Sequence, residues 1–282
     1  MLRLDILGGV AAHGRQYVLT GDKVTVVGHV KPYVAGQIAR VRVSAPQRKP
    51  TVIRAKIRKG RGEGTFQVRF RTRRAVTYTI YARHDATPEQ VLFQAKKAAA
   101  GVQPGKGMAV VLLKAGLRAL GYPAGNGPAL TSSLGLSVLT FRKTNGMARL
   151  YTADHAVYSM VFAGRGAFKL RYPKAGKHVE ADLSRQVIAL ANNGKVVATY
   201  PTSSGKPSTP TVLGHFHFYS KAPGTNAKGM YMSNYFTRGY AVHGYPEVPT
   251  YNASHGCLRI PNADAVSVFN QIDLGESIWV YP

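Results

Sequence analysis

The sequence predicts a multidomain, mainly β protein with an N-terminal β-sandwich over residues 1–86, a small three-helix module over 87–147, a connecting segment over 148–176 and a C-terminal β-rich domain with one short helix over 177–282. Three observations predict it. Apolar residues alternate with polar ones in the first third, the period turns helical in the second, and strand patterns punctuated by an Asn-Gly turn return in the last. A chain of 282 residues has room for about two domains, or three small ones.

Between Lys23 and Arg83 the inward phase reads Val24 and Val26, Val41 and Val43, Ile53, Ala55 and Ile57, Phe66, Val68 and Phe70, then Val76, Tyr78 and Ile80. Short alternating runs separated by turn residues are the signature of a sandwich. The opposite phase is basic, with Arg40, Arg42, Arg54, Lys56, Arg58, Arg69 and Arg71, and no acidic residue lies between Lys23 and Glu63. Such a face is either simply solvated or turned toward an anion.

Thr87, Pro88 and Gln90 supply a cap, a first-turn proline and a box partner for a helix stopped at Gly101. Val110, Leu113, Leu117 and Leu120 before Gly121 form a second helical stripe, and Leu134, Val138 and Phe141 before Asn145-Gly146 a third. Ala148 to Gly176 reads as a connector with some strand character. Strands are then expected at His178 to Asp182, Gln186 to Ala191 and Lys195 to Thr202, with Asn192-Asn193-Gly194 as the hairpin turn, and further on at His215 to Ser220, Tyr240 to His243 and Ser277 to Tyr281. A short helix follows Pro261, with Asn262 as its cap and Asp264 in its first turn.

The single cysteine, Cys257, lies in the string SHGCLRI, and His243 precedes it in YAVHGY. A lone thiol closes no internal disulfide. As thiolate it is a nucleophile, and a neighbouring imidazole can take its proton. His243 ends a strand, and the loop from Gly244 to Gly256 is long enough to fold Cys257 back beside it. Gly256 permits close backbone approach, so the amides of Gly256 and Cys257 are candidate oxyanion donors for acyl transfer through a thioester. The competing reading of a lone cysteine is that it merely packs in the core. A second chemistry competes as well: His215, His217, His243, His255 and Cys257 offer nitrogen and sulfur donors for a zinc-dependent hydrolase. The one-residue gap between His255 and Cys257 is tighter than ligand pairs usually show, and no acidic base lies in the motif.

His243-Gly244 followed by Ser254-His255-Gly256-Cys257-Leu258-Arg259 resembles the signature of the L,D-transpeptidases with a YkuD-type catalytic domain, and Thr209 to Phe216 is similar to the family's T-P-x-G-x-F stretch. The resemblance covers roughly Lys177 to Pro282. It implies a bacterial cell-wall cysteine acyltransferase that needs no cofactor and no metal. In that reading Cys257 attacks the carbonyl between the third residue and the terminal D-Ala of a peptidoglycan stem tetrapeptide. A neighbouring stem amine then resolves the thioester as a 3→3 cross-link, and water in place of the amine gives L,D-carboxypeptidase activity. His243 is the base and acid, with the Gly244 carbonyl orienting its other nitrogen, while His255 and Gly256 shape the oxyanion hole. Arg259 grips a substrate carboxylate, Ser254 and Gly244 border the substrate, and Tyr231 and Tyr235 line its groove. Val111 to Gly146, through LRALGY and FRKTNG, resembles a small peptidoglycan-binding module, though it lacks that module's usual turn aspartate. The N-terminal sandwich resembles the Ig-like type.

The formal net charge of +26 favours a polyanionic setting. Nucleic acid is disfavoured as partner, because no helix-turn-helix, zinc-finger or RNP-like string is present. Peptidoglycan stem peptides and anionic wall polymers remain. No run approaches the ~20 apolar residues of a membrane span, and Leu4 to Ala12 is too short and glycine-broken for a leader. The expected location is extracytoplasmic, in the wall or periplasm. The alternative from another class is a wall-binding protein with a decayed active site.

Overall fold

A computed structural model describes residues 1–85 and 92–282, and the chain divides into two compact units, Met1–Leu112 and Leu113–Pro282. The first unit holds two sheets. One has the order β1 (Leu2–Leu7), β4 (Lys23–Val30), β8 (Gly64–Arg71), β7 (Arg58–Lys59). The other runs β2 (Val10–Ala12), β3 (Arg15–Leu19), β10 (Leu92–Val102), β9 (Thr77–Asp85), β5 (Ile38–Ser44), β6 (Thr51–Lys56). The alternating residues do what their phase demands, with Val24, Val26, Val41, Phe66, Val68 and Ile80 buried in one core.

The structure corrects two expectations in this unit. Leu92 to Val102 is a strand rather than the end of a helix, paired antiparallel with β9 over nine positions and parallel with β3. Its Ala- and Lys-rich composition favours helix, but the sheet needs a strand between β3 and β9, and Phe93, Ala95 and Ala99 pack into the core from it. Thr87, Pro88 and Gln90 lie outside the described residues. The basic phase, moreover, is shared between two sheets: Arg40, Arg42, Arg54 and Lys56 belong to β5 and β6, whereas Arg58, Arg69 and Arg71 belong to β7 and β8.

The division between the units falls inside α1 (Met108–Ala119), and the second unit begins with two more helices, α2 (Ser132–Thr144) and α3 (His155–Phe162). Thr131 caps α2 by accepting the Leu134 amide at 3.2 Å. Asp154 caps α3, accepting the Val157 amide at 3.0 Å and pairing with Arg142 at 2.8 Å. This third helix lies in the segment expected to connect with strand character; an aspartate cap before the apolar HAVYSMVF run is the local signal that makes it a helix instead. The FRKTNG string is turned inward. Lys143 is 3% exposed and its ammonium donates to the carbonyls of Gln186 (3.0 Å) and Thr202 (2.9 Å), with burial pushing its pKa down to about 7. The helix is thereby fastened to the strands that follow it.

Those strands form two sheets. Five run in the order β13 (Lys195–Pro201), β12 (Val187–Asn192), β11 (His178–Asp182), β19 (Ser277–Tyr281), β14 (Gly214–His217), and four as β15 (Ser220–Thr225), β16 (Tyr231–Thr237), β17 (Tyr240–Tyr245), β18 (Leu258–Pro261). Asn193 and Gly194 both have positive φ, as the Asn-Gly hairpin requires. Val179, Ile188, Leu190, Phe236, Val242, Leu258, Ile260 and Ile278 share a core with Val268 of α4 (Asn262–Gln271). Asn262 does not cap α4; the cap position is Pro261, without a side-chain bond. Among the described residues no helix is long and apolar enough to cross a membrane.

Candidate active site

β17 and β18 are parallel, with Val242 opposite Leu258 and His243 opposite Arg259. Side chains alternate along a strand. Val242, Leu258 and Ile260 therefore enter the core, and His243, Cys257 and Arg259 emerge together on the other face. There they open on a cleft of about 470 Å³ also lined by Lys228, Met230, Arg238, Gly239, Tyr240, Tyr245, Ser254 and His255.

The loop that carries Cys257 is held from two sides. Ser254, buried, donates its hydroxyl to the Cys257 carbonyl at 2.6 Å and accepts the Gly256 amide at 3.1 Å. The segment after β13 straps the loop from behind: Ser203 and Arg259 exchange backbone bonds of 2.9 and 3.1 Å, Thr202 donates to the Arg259 carbonyl at 2.8 Å, and Lys206 donates its amide to Ser254 at 2.9 Å. Gly256 has φ +116°, and a Cβ there would lie 2.0 Å from the Tyr240 ring. Gly244 has a different reason to be glycine, since a Cβ would meet Ala265 and Asn262 of α4 at 2.7 Å.

His243 is buried, and its Nδ1 lies 2.9 Å from the Gly244 carbonyl. A carbonyl only accepts, so Nδ1 carries the proton and Nε2 keeps its lone pair. Burial pushes the imidazole pKa down, the Gly244 bond opposes this, and the Arg259 charge adds to the lowering. The ring is a neutral base at neutral pH. Cys257 is partly buried, its sulfur 3.8 Å from the Gly239 carbonyl. Burial pushes the thiol up, while the Ala241 amide bonding to the sulfur and the charges of Arg259 and Lys228 work the other way. Thiol and imidazole both rest neutral, the state from which a base removes the proton as the nucleophile attacks.

The structure thus brings Cys257, His243, Gly244, Ser254, His255, Gly256 and Arg259 to one place. Their parts differ in detail from the sequence expectation. The Gly256 amide donates to the Ser254 hydroxyl, and that hydroxyl in turn donates to the Cys257 carbonyl, so both polar groups are engaged inside the loop, although Ser254 also borders the cleft. His255 is exposed, and its Nε2 accepts from Lys206 at 3.4 Å. The Arg259 guanidinium stacks 4.0 Å over the Tyr245 ring. Tyr231 and Tyr235 do not line the cleft: Tyr231 packs on the core, and the Tyr235 hydroxyl takes a 3.3 Å bond from Asn226. Their places are filled by Tyr240, Tyr245 and Met230, and the cations Lys228 and Arg238 join Arg259. Nearness to His243 along the chain is the only sequence signal for Tyr240 and Tyr245. The zinc donor set is not assembled. His215 stacks on Trp279 at 4.1 Å and lies 3.1 Å from Ser277 in the other sheet, and among the described residues no three metal-type side chains converge.

A buried histidine oriented by a carbonyl, a lone thiol just before the neighbouring strand and a serine-pinned loop give the arrangement that cysteine acyl transfer requires. Residues 176–280, within the C-terminal unit, match the family model of the L,D-transpeptidase catalytic domain, YkuD. Among curated relatives, L,D-transpeptidase 1 of Mycobacterium tuberculosis H37Rv is 29% identical over 121 residues, 36% of this chain and 48% of the relative, and its counterpart in strain CDC 1551 gives the same figures. The chain spans about half the length of the curated relatives it matches. The crystal structure of an L,D-transpeptidase from Xylanimonas cellulosilytica is 28% identical, with a TM-score of 0.58, covering 62% of this chain and 94% of that one. That share exceeds what residues 176–280 supply, so the similarity reaches into the chain before the catalytic domain.

Proposed function

We propose that this protein is a peptidoglycan L,D-transpeptidase acting outside the membrane, where its substrate lies. The observation that carries the proposal is the Cys257, His243 and Gly244-carbonyl arrangement on the cleft face of β17 and β18. His243 Nε2 takes the thiol proton as the sulfur attacks the carbonyl before the terminal D-Ala of a stem tetrapeptide. The Cys257 amide is the proposed oxyanion donor, in place of the Gly256 amide that Ser254 occupies. The imidazolium returns its proton to the leaving D-Ala nitrogen, and a thioester remains. An amine from a second stem then attacks, His243 accepts its proton and passes it to the departing sulfur, and a 3→3 cross-link results. Lys228, Arg238 and Arg259, with no carboxylate lining the cleft, suit a peptide that carries free carboxylates. Water in place of the amine would give the carboxypeptidase reaction.

Incubation with purified disaccharide tetrapeptide should yield free D-Ala and a cross-linked dimer one D-Ala lighter than two substrates. Tripeptide and D-Ala alone would reassign the protein as a carboxypeptidase. An unchanged substrate would contradict both activities.

A further inference from the structure

On the outward face of the second N-terminal sheet, strand register places basic residues side by side. Arg40 on β5 is directly opposite Arg54 on β6 and Arg83 on β9. One step along, Arg42 lies opposite Tyr81, which in turn pairs with Lys96 of β10. Neighbouring strands are ~4.8 Å apart. Like charges directly opposite one another destabilise a sheet, and here no carboxylate relieves them: neither row holds an acidic residue, and among the described residues none of these side chains is in an ion pair. All five cations are exposed. Arg40, Arg42, Arg83 and Tyr81 also wall a groove of about 450 Å³ that is completed by Pro50 and Val52. A second groove, lined by Arg48, Lys49, Arg71, Arg73 and Arg74, adjoins it through the segment that carries Pro50.

A mere excess of surface lysine would not look like this. Arginines dominate, and a guanidinium forms paired bonds to a phosphate where an ammonium offers a point charge. The residues lie in a row across the strands, so the ligand that satisfies them is extended and carries repeated charge. Aromatic residues for stacking bases, which single-stranded nucleic acid needs, are limited in the first groove to Tyr81, whose hydroxyl is bonded to Gln94, and in the second Phe70 and Tyr78 pack on one another with Tyr78 buried. We propose that the outward face of β6, β5, β9 and β10 binds a flexible phosphodiester polymer of the bacterial wall, tethering the catalytic unit beside its substrate. The choice of a wall polymer rests on the transpeptidase reading; the anion site itself does not.

The test uses the full chain and a purified glycerol-phosphate polymer, with single-stranded DNA, anionic vesicles and uncharged dextran as comparison ligands. Binding of the polymer should weaken roughly 50-fold between about 50 and about 200 mM salt if about four phosphates are contacted. The triple variant Arg40→Gln, Arg54→Gln, Arg83→Gln should lose at least tenfold in affinity and flatten the salt slope by about 2. Lys23→Gln with Arg69→Gln, which lower charge on the other sheet and line neither groove, should bind within about twofold of wild type, a margin that separates a site from the general positive field. Carbapenem acylation of Cys257 in each variant reports the fold and the transpeptidase reading independently of binding. Equal loss in the two variant sets, no polymer binding, or tighter binding of DNA or vesicles than of polymer would overturn the proposal.

Discussion

His243→Ala should slow acylation of Cys257 by a carbapenem at pH 7 by about 10²–10⁴-fold, the range that a positioned general base contributes. Burial holds the Cys257 thiol above its ordinary range, so without the imidazole very little thiolate is present at neutral pH. In the wild type, burial holds His243 below its ordinary range, so the base is already deprotonated at pH 7 and is lost only when the pH falls below the usual imidazole value of ~6.5. The wild-type rate should therefore be nearly flat through neutrality and decline in mild acid. The variant's rate should instead climb with pH toward and beyond the free-thiol value of ~8.5. His255→Ala should retain much of the wild-type rate with an unshifted profile, because that ring is exposed and meets only Lys206 among the bonds of the loop. Measured acylation rates from pH 5 to 9 for the three proteins check this, and a His243→Ala profile like that of the wild type would mean that another group is the base.

Gly256→Ala should reduce acylation by more than ~100-fold while leaving the protein folded. Two independent constraints meet at this residue. Its φ of +116° is one that side chains rarely adopt, and the added methyl would sit 2.0 Å from the Tyr240 ring, which cannot withdraw without opening the cleft wall. Backbone strain of this type costs of order 1–3 kcal/mol, and relieving it moves the Ser254-to-Cys257 turn by which the sulfur is placed. Adding Tyr240→Ala removes the contact and leaves the φ strain, so the double variant should recover only part of the rate. Thermal melting beside acylation separates the two effects: a Gly256→Ala protein that melts lower but acylates normally would show that the loop tolerates the shift.

Residues whose local signal and tertiary role agree are legible in the sequence. The Asn193-Gly194 hairpin, the alternating valines of the sandwich and the Cys257 and His243 pair all fall in this group, since turn chemistry, period two and the reactivity of a lone thiol act at short range. Leu92 to Val102 is not legible. Its composition prefers helix, and only the vacancy between β3 and β9, which no local pattern reports, makes it a strand. The helix at His155 escapes for a smaller reason, since its aspartate cap is a single residue in a stretch otherwise rich in turn formers. Within the site, aromatic character alone points to Tyr231 and Tyr235 as groove residues, whereas membership depends on which face of a bulged strand each occupies. The roles of Ser254 and of the Gly256 amide are hidden from the sequence because both hinge on one hydrogen bond inside a loop.

In the proposed reaction Cys257 carries the acyl group. Intact-mass spectrometry of the protein after exposure to a carbapenem tests it most directly, because a β-lactam presents an activated carbonyl that a thiolate opens and retains as a thioester. The wild type should gain the mass of one carbapenem, peptide mapping should place it on Cys257, and Cys257→Ala should gain nothing. A wild type without adduct, or an equal adduct on Cys257→Ala, would contradict the assignment.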